Sequence, residues 1–300
     1  MTEQRLLSCK VPVTVVGCGS AGRRIVGNLL EEGLRASLLT LVDSAMVPSV
    51  LDVPVRHLDG RDSIGSPGGM VFVSVPMQSH ASILERIRPD CTAVFLEKPS
   101  GPSEHSDRIL KASVNWPVVV GYNWRFHPMA TELVRALSTV DPAKVTLFAS
   151  CHTDMGAWPG SSYGHPVYEC SHEMDLAQWL LGRASVECVQ VRGDMWRIVM
   201  CHSSGAMTVI EIRHRCSQYL RSVSLSSGFS WKTTSFSHAG NVPESIASKW
   251  APSHMYRDCV ASFAWFVASG RHPMGCPLPD AIAVADNCGR AIAMASESAR

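Results

Sequence analysis

The stretch Val13-Thr14-Val15-Val16-Gly17-Cys18-Gly19-Ser20-Ala21-Gly22 decides how the rest of the chain is read. Four β-branched residues in a row suit a strand buried on both faces. They run into a Gly-x-Gly-x-x-Gly turn, and Ile25, Val26, Leu29 and Leu30 recur behind it at helical spacing. Strand, tight turn and helix together give the glycine pattern its meaning. Gly17 permits the sharp exit from the strand, Gly19 has no side chain to block a pyrophosphate, and Gly22 lets the helix lie close to the strand. Amide N–H groups along Cys18, Ser20 and Ala21, with the positive end of the helix dipole, would face the phosphates of a dinucleotide.

Residues 37–42, Ser-Leu-Leu-Thr-Leu-Val, read as a second buried strand that ends at Asp43. A carboxylate about 20 residues beyond such a turn accepts hydrogen bonds from the adenosine ribose. It repels a 2′-phosphate, so NAD is expected, with NADP as the alternative.

The 300 residues allow two domains or one large one. At 46% hydrophobic and 18% charged, the chain has the makings of a packed core rather than of disorder. Lys and Arg number 27 against 26 Asp and Glu, with no basic stripe, which argues against nucleic-acid and membrane partners. Residues 1–10 lack the apolar core of a signal peptide, and no apolar run is long enough to span a bilayer. Eleven scattered cysteines without a Cys-x-x-Cys pair read as small core residues in a reducing compartment, so a cytoplasmic protein is expected. Among twelve histidines, only Cys151-His152-x-Asp154 with His165 suggests a metal, and its spacing fits no common site. No metal is expected.

Strand and helix continue to alternate beyond Asp43. Strands are predicted at 53–58, 70–75, 93–96 and 117–120, with helices at 80–87 and 103–113. This predicts a doubly wound parallel sheet, a Rossmann domain, over residues 1–122. The remainder, 123–300, reads as an α+β domain. Helices are predicted at 128–137, 169–181, 255–269 and 281–296, and strands at 143–151, 186–192, 195–202, 206–214, 219–225 and 229–236. Consecutive strands with short turns predict an open antiparallel sheet.

Ligands of open α/β sheets bind beyond the carboxyl ends of the strands. Those ends carry the glycine turn, Ser74-Val75-Pro76, Glu97-Lys98-Pro99 and Asn123. Lys98 lies between a buried strand and a proline. On spacing alone, it either pairs with Glu97 or, partly desolvated with its pKa lowered, donates to a substrate oxygen. On the helix after Pro166, Glu169, His172 and Asp175 are three apart and share a face. Such a histidine can exchange a hydroxyl proton, or the helix is simply amphipathic with its acids in water.

Taken together, several segments resemble one family, the glucose–fructose oxidoreductase and inositol dehydrogenase family, also called Gfo/Idh/MocA. They are the glycine turn, Ser74-Val75-Pro76 with His80, Glu97-Lys98-Pro99, Gly121-Tyr122-Asn123-Trp124-Arg125-Phe126-His127-Pro128, and Ser171-His172-Glu173-Met174-Asp175 running to Gly182. Met255-Tyr256 and Phe263 resemble the late helix of its branch for unusual sugars. The resemblance implies an NAD(P)-binding Rossmann domain and an α+β domain whose sheet forms a homo-oligomer, dimer or tetramer. It implies cofactor contacts along residues 17–22, at Asp43, Ser74, Val75, Pro76, His80, Glu97 and Lys98, and at Asn123 beside the nicotinamide.

In this resemblance Lys98 is catalytic and His172 supplies the acid/base, oriented by Glu169 or Asp175. Tyr168 stands where many members carry the aspartate partner of the histidine. Tyr122, Trp124, Arg125, Trp158, His165 and Tyr168 are expected to line the substrate pocket with Lys98, Asn123 and His172. The expected activity is hydride transfer between nicotinamide and a secondary alcohol or ketone of a sugar, amino sugar, sugar nucleotide or cyclitol, in a biosynthetic pathway. The alternatives are an imine or C=C reductase and a non-catalytic NAD(P)-binding regulatory protein.

Overall fold

A computed structural model describes Leu6 and residues 9–60, 62–154, 165–227, 236–239 and 252–298. The chain forms two compact units. One holds Met1–Asn123 and Ser253–Ile282, the other Trp124–Pro252 and Ala283–Arg300.

The first unit is built on strands β1 (Val13–Val16), β2 (Leu39–Asp43), β3 (Ser49–Val50), β4 (Val53–His57), β5 (Met70–Val73), β6 (Ala93–Leu96) and β7 (Val118–Val120). Helices α1 (Ser20–Glu31), α2 (His80–Leu84) and α3 (Ser106–Ala112) lie between them. Every residue of β1, β5, β6 and β7 is buried, which explains why these strands are apolar throughout except for Thr14 in β1. The sheet order is β14-β7-β6-β5-β1-β2-β4-β3, where β14 is Cys276–Pro277. All pairs are parallel except the outermost, β14 with β7 and β3 with β4. The six inner strands have the doubly wound order 3-2-1-4-5-6. Its switch point falls between β1 and β5, where Val16 pairs with Val73. Gly17 and Ser74 follow immediately at that crevice.

The division of the chain departs from the sequence reading in one respect. Residues 253–282 were expected in the second domain and instead cluster with the first unit. Helix α7 (Pro252–Ala268) brings Phe263 against Phe72 and Phe95, with ring centroids 5.1 and 5.5 Å away. Tyr256 of the same helix donates to Glu97, and β14 covers the edge of β7. Helical periodicity marks an apolar face but not which sheet that face covers.

The second unit contains α4 (Pro128–Leu137), β8 (Val145–Asp154), α5 (Pro166–Glu169), α6 (Ser171–Leu181), β9 (Ala184–Arg192), β10 (Met195–His202), β11 (Met207–Arg213), β12 (Arg215–Ser227) and β13 (Phe236–Ala239). Most of helix α8 (Leu278–Ser298) belongs to it as well. The sheet order is β13-β12-β8-β11-β10-β9. Pairing is antiparallel as expected, apart from β8 and β11, which run parallel. The chain leaves β8 through α5 and α6 and returns by β9 and β10, so β11 arrives beside β8 in the same sense.

Of the predicted 169–181 helix, 171–181 form α6, and Glu169 ends a separate turn that begins at Pro166 and is capped by His165. Of the strand expected at 229–236, only Phe236 lies within the described residues.

Candidate active site

The glycine turn is shaped by what surrounds it. Gly17 has φ +90°, and a Cβ there would stand 2.7 Å from the Ser74 carbonyl oxygen. A Cβ on Gly22 would stand 1.9 Å from the Gly17 oxygen. The Ser74 hydroxyl lies 3.0 Å from the Val16 carbonyl and 2.7 Å from that of Gly17, fastening the end of β5 to the turn. Gly19 is different, since a Cβ there would meet nothing within 4 Å. It is also the N-cap of α1, with no side-chain cap and no acidic residue in the helix's first turn. An uncapped, acid-free helix N-terminus beside open space suits a phosphate. Asp43 accepts N–H bonds from Cys18 through one carboxylate oxygen and from Ala45 through the other. Burial first, then the charge of Asp43, pushes the Cys18 thiol up to about 11, so it packs as a neutral group.

His80 is buried, with Nδ1 2.9 Å from the Ser100 carbonyl and Nε2 3.0 Å from that of Val75. Burial holds its pKa below the ordinary range. Expected as a cofactor contact, it lies between the loop after β5 and the loop after β6, where its neutral ring donates its one N–H to one of these two carbonyls. Val75 and Pro76 lie on the first of these loops, half-buried and exposed respectively.

Glu97, also expected at the cofactor, is buried against protein partners. One oxygen of its buried carboxylate accepts from the Tyr256 hydroxyl, and the other accepts the Lys98 N–H at 3.2 Å. Lys98 is half-buried at the end of β6. Tyr122 is fully buried and Asn123 half-buried just past β7. No donor reaches Asn123 Oδ1 among the described residues.

The second unit gathers the other candidates around α6. The imidazole of His172 stacks on the indole of Trp124, with centroids 5.5 Å apart and planes 11° apart. Arg125 donates to both oxygens of Asp175, at 2.9 and 2.6 Å, and Asp175 is fully buried. Arg221 reaches in from β12. It donates to Glu173 at 2.7 and 2.8 Å, to the Glu169 carboxylate at 3.1 Å and to the Glu169 carbonyl at 3.1 Å. Its Cζ lies 5.7 Å from the Trp124 ring centroid.

Glu169 and Asp175 were expected to be catalytic partners of His172, and each carboxylate anchors an arginine. Tyr168 is buried, and the Nδ1 of His165 accepts from Val167 N–H as a helix cap while its ring meets Trp196 edge-on. Burial lowers the His165 pKa, and the nearby His214 adds to the effect. Trp158 lies outside the described residues.

Sequence reasoning missed Arg221 and Arg24. The signal for Arg221 was its place on the inward row of β12, with Val223 and Leu225, where a charge needs a buried partner. Arg24 gave no comparable signal, because its guanidinium sits over the Tyr256 ring, 4.9 Å from the centroid, and the two are far apart in sequence.

No protein-family model matches the sequence, and no curated protein matches it either. Solved structures do match. The chain shares its fold with solved myo-inositol dehydrogenases. A myo-inositol 2-dehydrogenase from Lactobacillus plantarum superposes with a TM-score of 0.73 at 14% identity, covering 96% of this chain and 98% of the other. Myo-inositol dehydrogenase from Lactobacillus casei, in complex with NAD(H) and myo-inositol, gives 0.70 at 17% identity, covering 96% and 94%. A UDP-N-acetylglucosamine 3-dehydrogenase from Acidithiobacillus ferrooxidans gives 0.67 at 15% identity, covering 97% and 99%. Among the described residues no helix is long and apolar enough to cross a membrane, and no His, Cys, Asp or Glu cluster is arranged to hold a metal.

Proposed function

We propose that this chain is an NAD-dependent oxidoreductase of the Gfo/Idh/MocA family. On this reading it moves a hydride between nicotinamide and a secondary alcohol or ketone of a sugar, amino sugar, sugar nucleotide or cyclitol. The observation that carries the reading is the open, uncapped N-terminus of α1 at the sheet's switch point, with Asp43 at the end of the neighbouring strand. These residues fit a dinucleotide. The amides of residues 19–22 bind the pyrophosphate, Asp43, held by the Cys18 N–H, accepts the ribose hydroxyls and Asn123 Oδ1 receives an amide donor. Bound NAD supplies the hydride-accepting carbon.

Lys98 donates to the substrate oxygen and stabilises the charge that develops there. His172, its ring plane set by Trp124, exchanges the hydroxyl proton. Asp175 and Glu169 position this machinery through Arg125 and Arg221. Solved relatives of the fold that act on myo-inositol and on a UDP-sugar support the substrate class, and a biosynthetic place for the reaction is proposed with it.

We place the protein in the cytoplasm, in keeping with eleven scattered cysteines that include no Cys-x-x-Cys pair. A homo-oligomer assembled through the second sheet is part of the same reading, since that sheet leaves Val191 and Met207 exposed.

The test is absorbance at 340 nm with NAD or NADP against cyclitols, aldoses, amino sugars, UDP-sugars and paired imines. NADH formation with a sugar-like alcohol, and preference for NAD, are expected. Tight NADH binding without hydride exchange across the panel would leave a regulatory nucleotide-binding protein. Failure to bind either dinucleotide would remove the reading altogether.

A further inference from the structure

One buried acid–phenol pair has no part in the roles above. Strand β6 delivers Glu97 into the core at 9% exposure, and α7 brings Tyr256 to it at 5%. The phenol donates to one carboxylate oxygen, and the other oxygen accepts the main-chain N–H of Lys98. Gly121, just past β7, makes the room. A Cβ there would stand 2.9 Å from the Phe95 ring and 3.6 Å from the second Glu97 oxygen. Above the phenol sits the guanidinium of Arg24, on the second turn of α1. A continuous set of contacts thus runs from the dinucleotide helix through Tyr256 and Glu97 to the backbone of Lys98. A pair needed only to dock α7 would have no reason to include the Lys98 N–H.

We propose that Glu97 and Tyr256 are positioning residues for Lys98, the phenol holding the carboxylate in place and the carboxylate fixing the Lys98 backbone. The charged and titratable groups facing the pair are Arg24 from α1, Lys98 at the end of β6, and Cys259 beside Tyr256 on α7. Burial pushes the Glu97 carboxyl upward, while the Tyr256 hydrogen bond and the Arg24 and Lys98 charges oppose it. Burial, then the charge of Glu97, holds the phenol well above its usual range, so it stays a donor. Losing the phenolic hydroxyl therefore lets Glu97 take up a proton more readily, and Lys98 loses a neighbouring negative charge.

The inference rests on Lys98 being the reacting cation, but its test needs neither cofactor nor substrate. The chain contains six lysines, so reductive methylation with ¹³C-formaldehyde gives a small set of dimethyl-lysine signals. The signal missing from a Lys98→Arg protein is that of Lys98. Its titration midpoint is followed by NMR in the native chain, in Tyr256→Phe, in Glu97→Gln and in the double variant. The midpoint falls by about one pH unit in each single variant and little further in the double, because the two groups act as one unit. The other five midpoints stay in place.

A Lys98 midpoint unchanged in folded Glu97→Gln overturns the inference, whatever the turnover assay shows. Should Tyr256→Phe lose its cooperative melt, Glu97→Gln alone decides. Absent turnover in the native chain removes the oxidoreductase reading and with it the catalytic purpose of the pair, while a shifted midpoint still shows the pair acting on the Lys98 ammonium.

Discussion

Arg221 sits with its side chain only 2% exposed, on a sheet row it shares with Val223 and Leu225. A guanidinium there is tolerable only because two carboxylates of the helical segment above meet it, one of them, Glu173, fully buried. Burial pushes the Glu173 carboxyl upward and the Arg221 charge holds it back, so the acid depends on its partner. Arg221→Met should cost about 3–5 kcal/mol in a denaturant melt by stranding that charge. Adding Glu173→Gln should recover most of the loss, and equal, additive losses would contradict this account.

Arg221 also shows where sequence reading stops. Glu169 and Glu173 lie 52 and 48 residues away along the chain, and no local pattern announces the pairing. Asp43 and Lys98 stood out as candidates because each lies at the carboxyl end of a buried strand, where a polar residue contrasts with its neighbours. His80 and Glu97 were read as facing a cofactor, and both lie against protein partners. Which way a polar side chain turns, toward a ligand or toward protein carbonyls, is decided by loops that periodicity does not describe.

The strand–turn–helix of β1 and α1 separates folding from binding within a single motif. Gly22 is packed against the Gly17 carbonyl, while Gly19 faces open space. Gly22→Ala should therefore destabilise the fold by about 1–3 kcal/mol or more, because backbone must shift to admit the methyl group. Gly19→Ala, at φ −70°, fits an ordinary backbone and should leave the thermal melt nearly unchanged. It should nonetheless weaken NADH binding by at least about tenfold, or about 1.4 kcal/mol, by placing a methyl where a phosphate belongs. Calorimetric titration alongside melting checks both, and equal behaviour of the two variants would count against the motif's assignment.

Strands buried on both faces were plain in the sequence, since an apolar run needs no partner to be recognised. The two-residue strands β3 and β14 were not, because their only signature is the edge they cover.

At the scale of the molecule, the first unit is completed by chain that returns more than a hundred residues later. Without residues 253–282, Phe72 and Phe95 lose Phe263, β7 loses its edge strand and Glu97 loses Tyr256. A fragment of residues 1–123 should therefore fail to give a cooperative melt or the near-ultraviolet circular dichroism of packed aromatics. A native-like melt from that fragment would show the first unit to be self-sufficient.

The central claim remains that this chain holds a dinucleotide and uses Lys98 as the cation at the reacting oxygen. Lys98→Met tests it most directly, measured as hydride transfer at 340 nm beside NADH affinity in the same preparation. The account predicts NADH affinity within about threefold of the native chain and turnover lower by at least about a hundredfold. Turnover near the native rate, with NADH still bound, would contradict it.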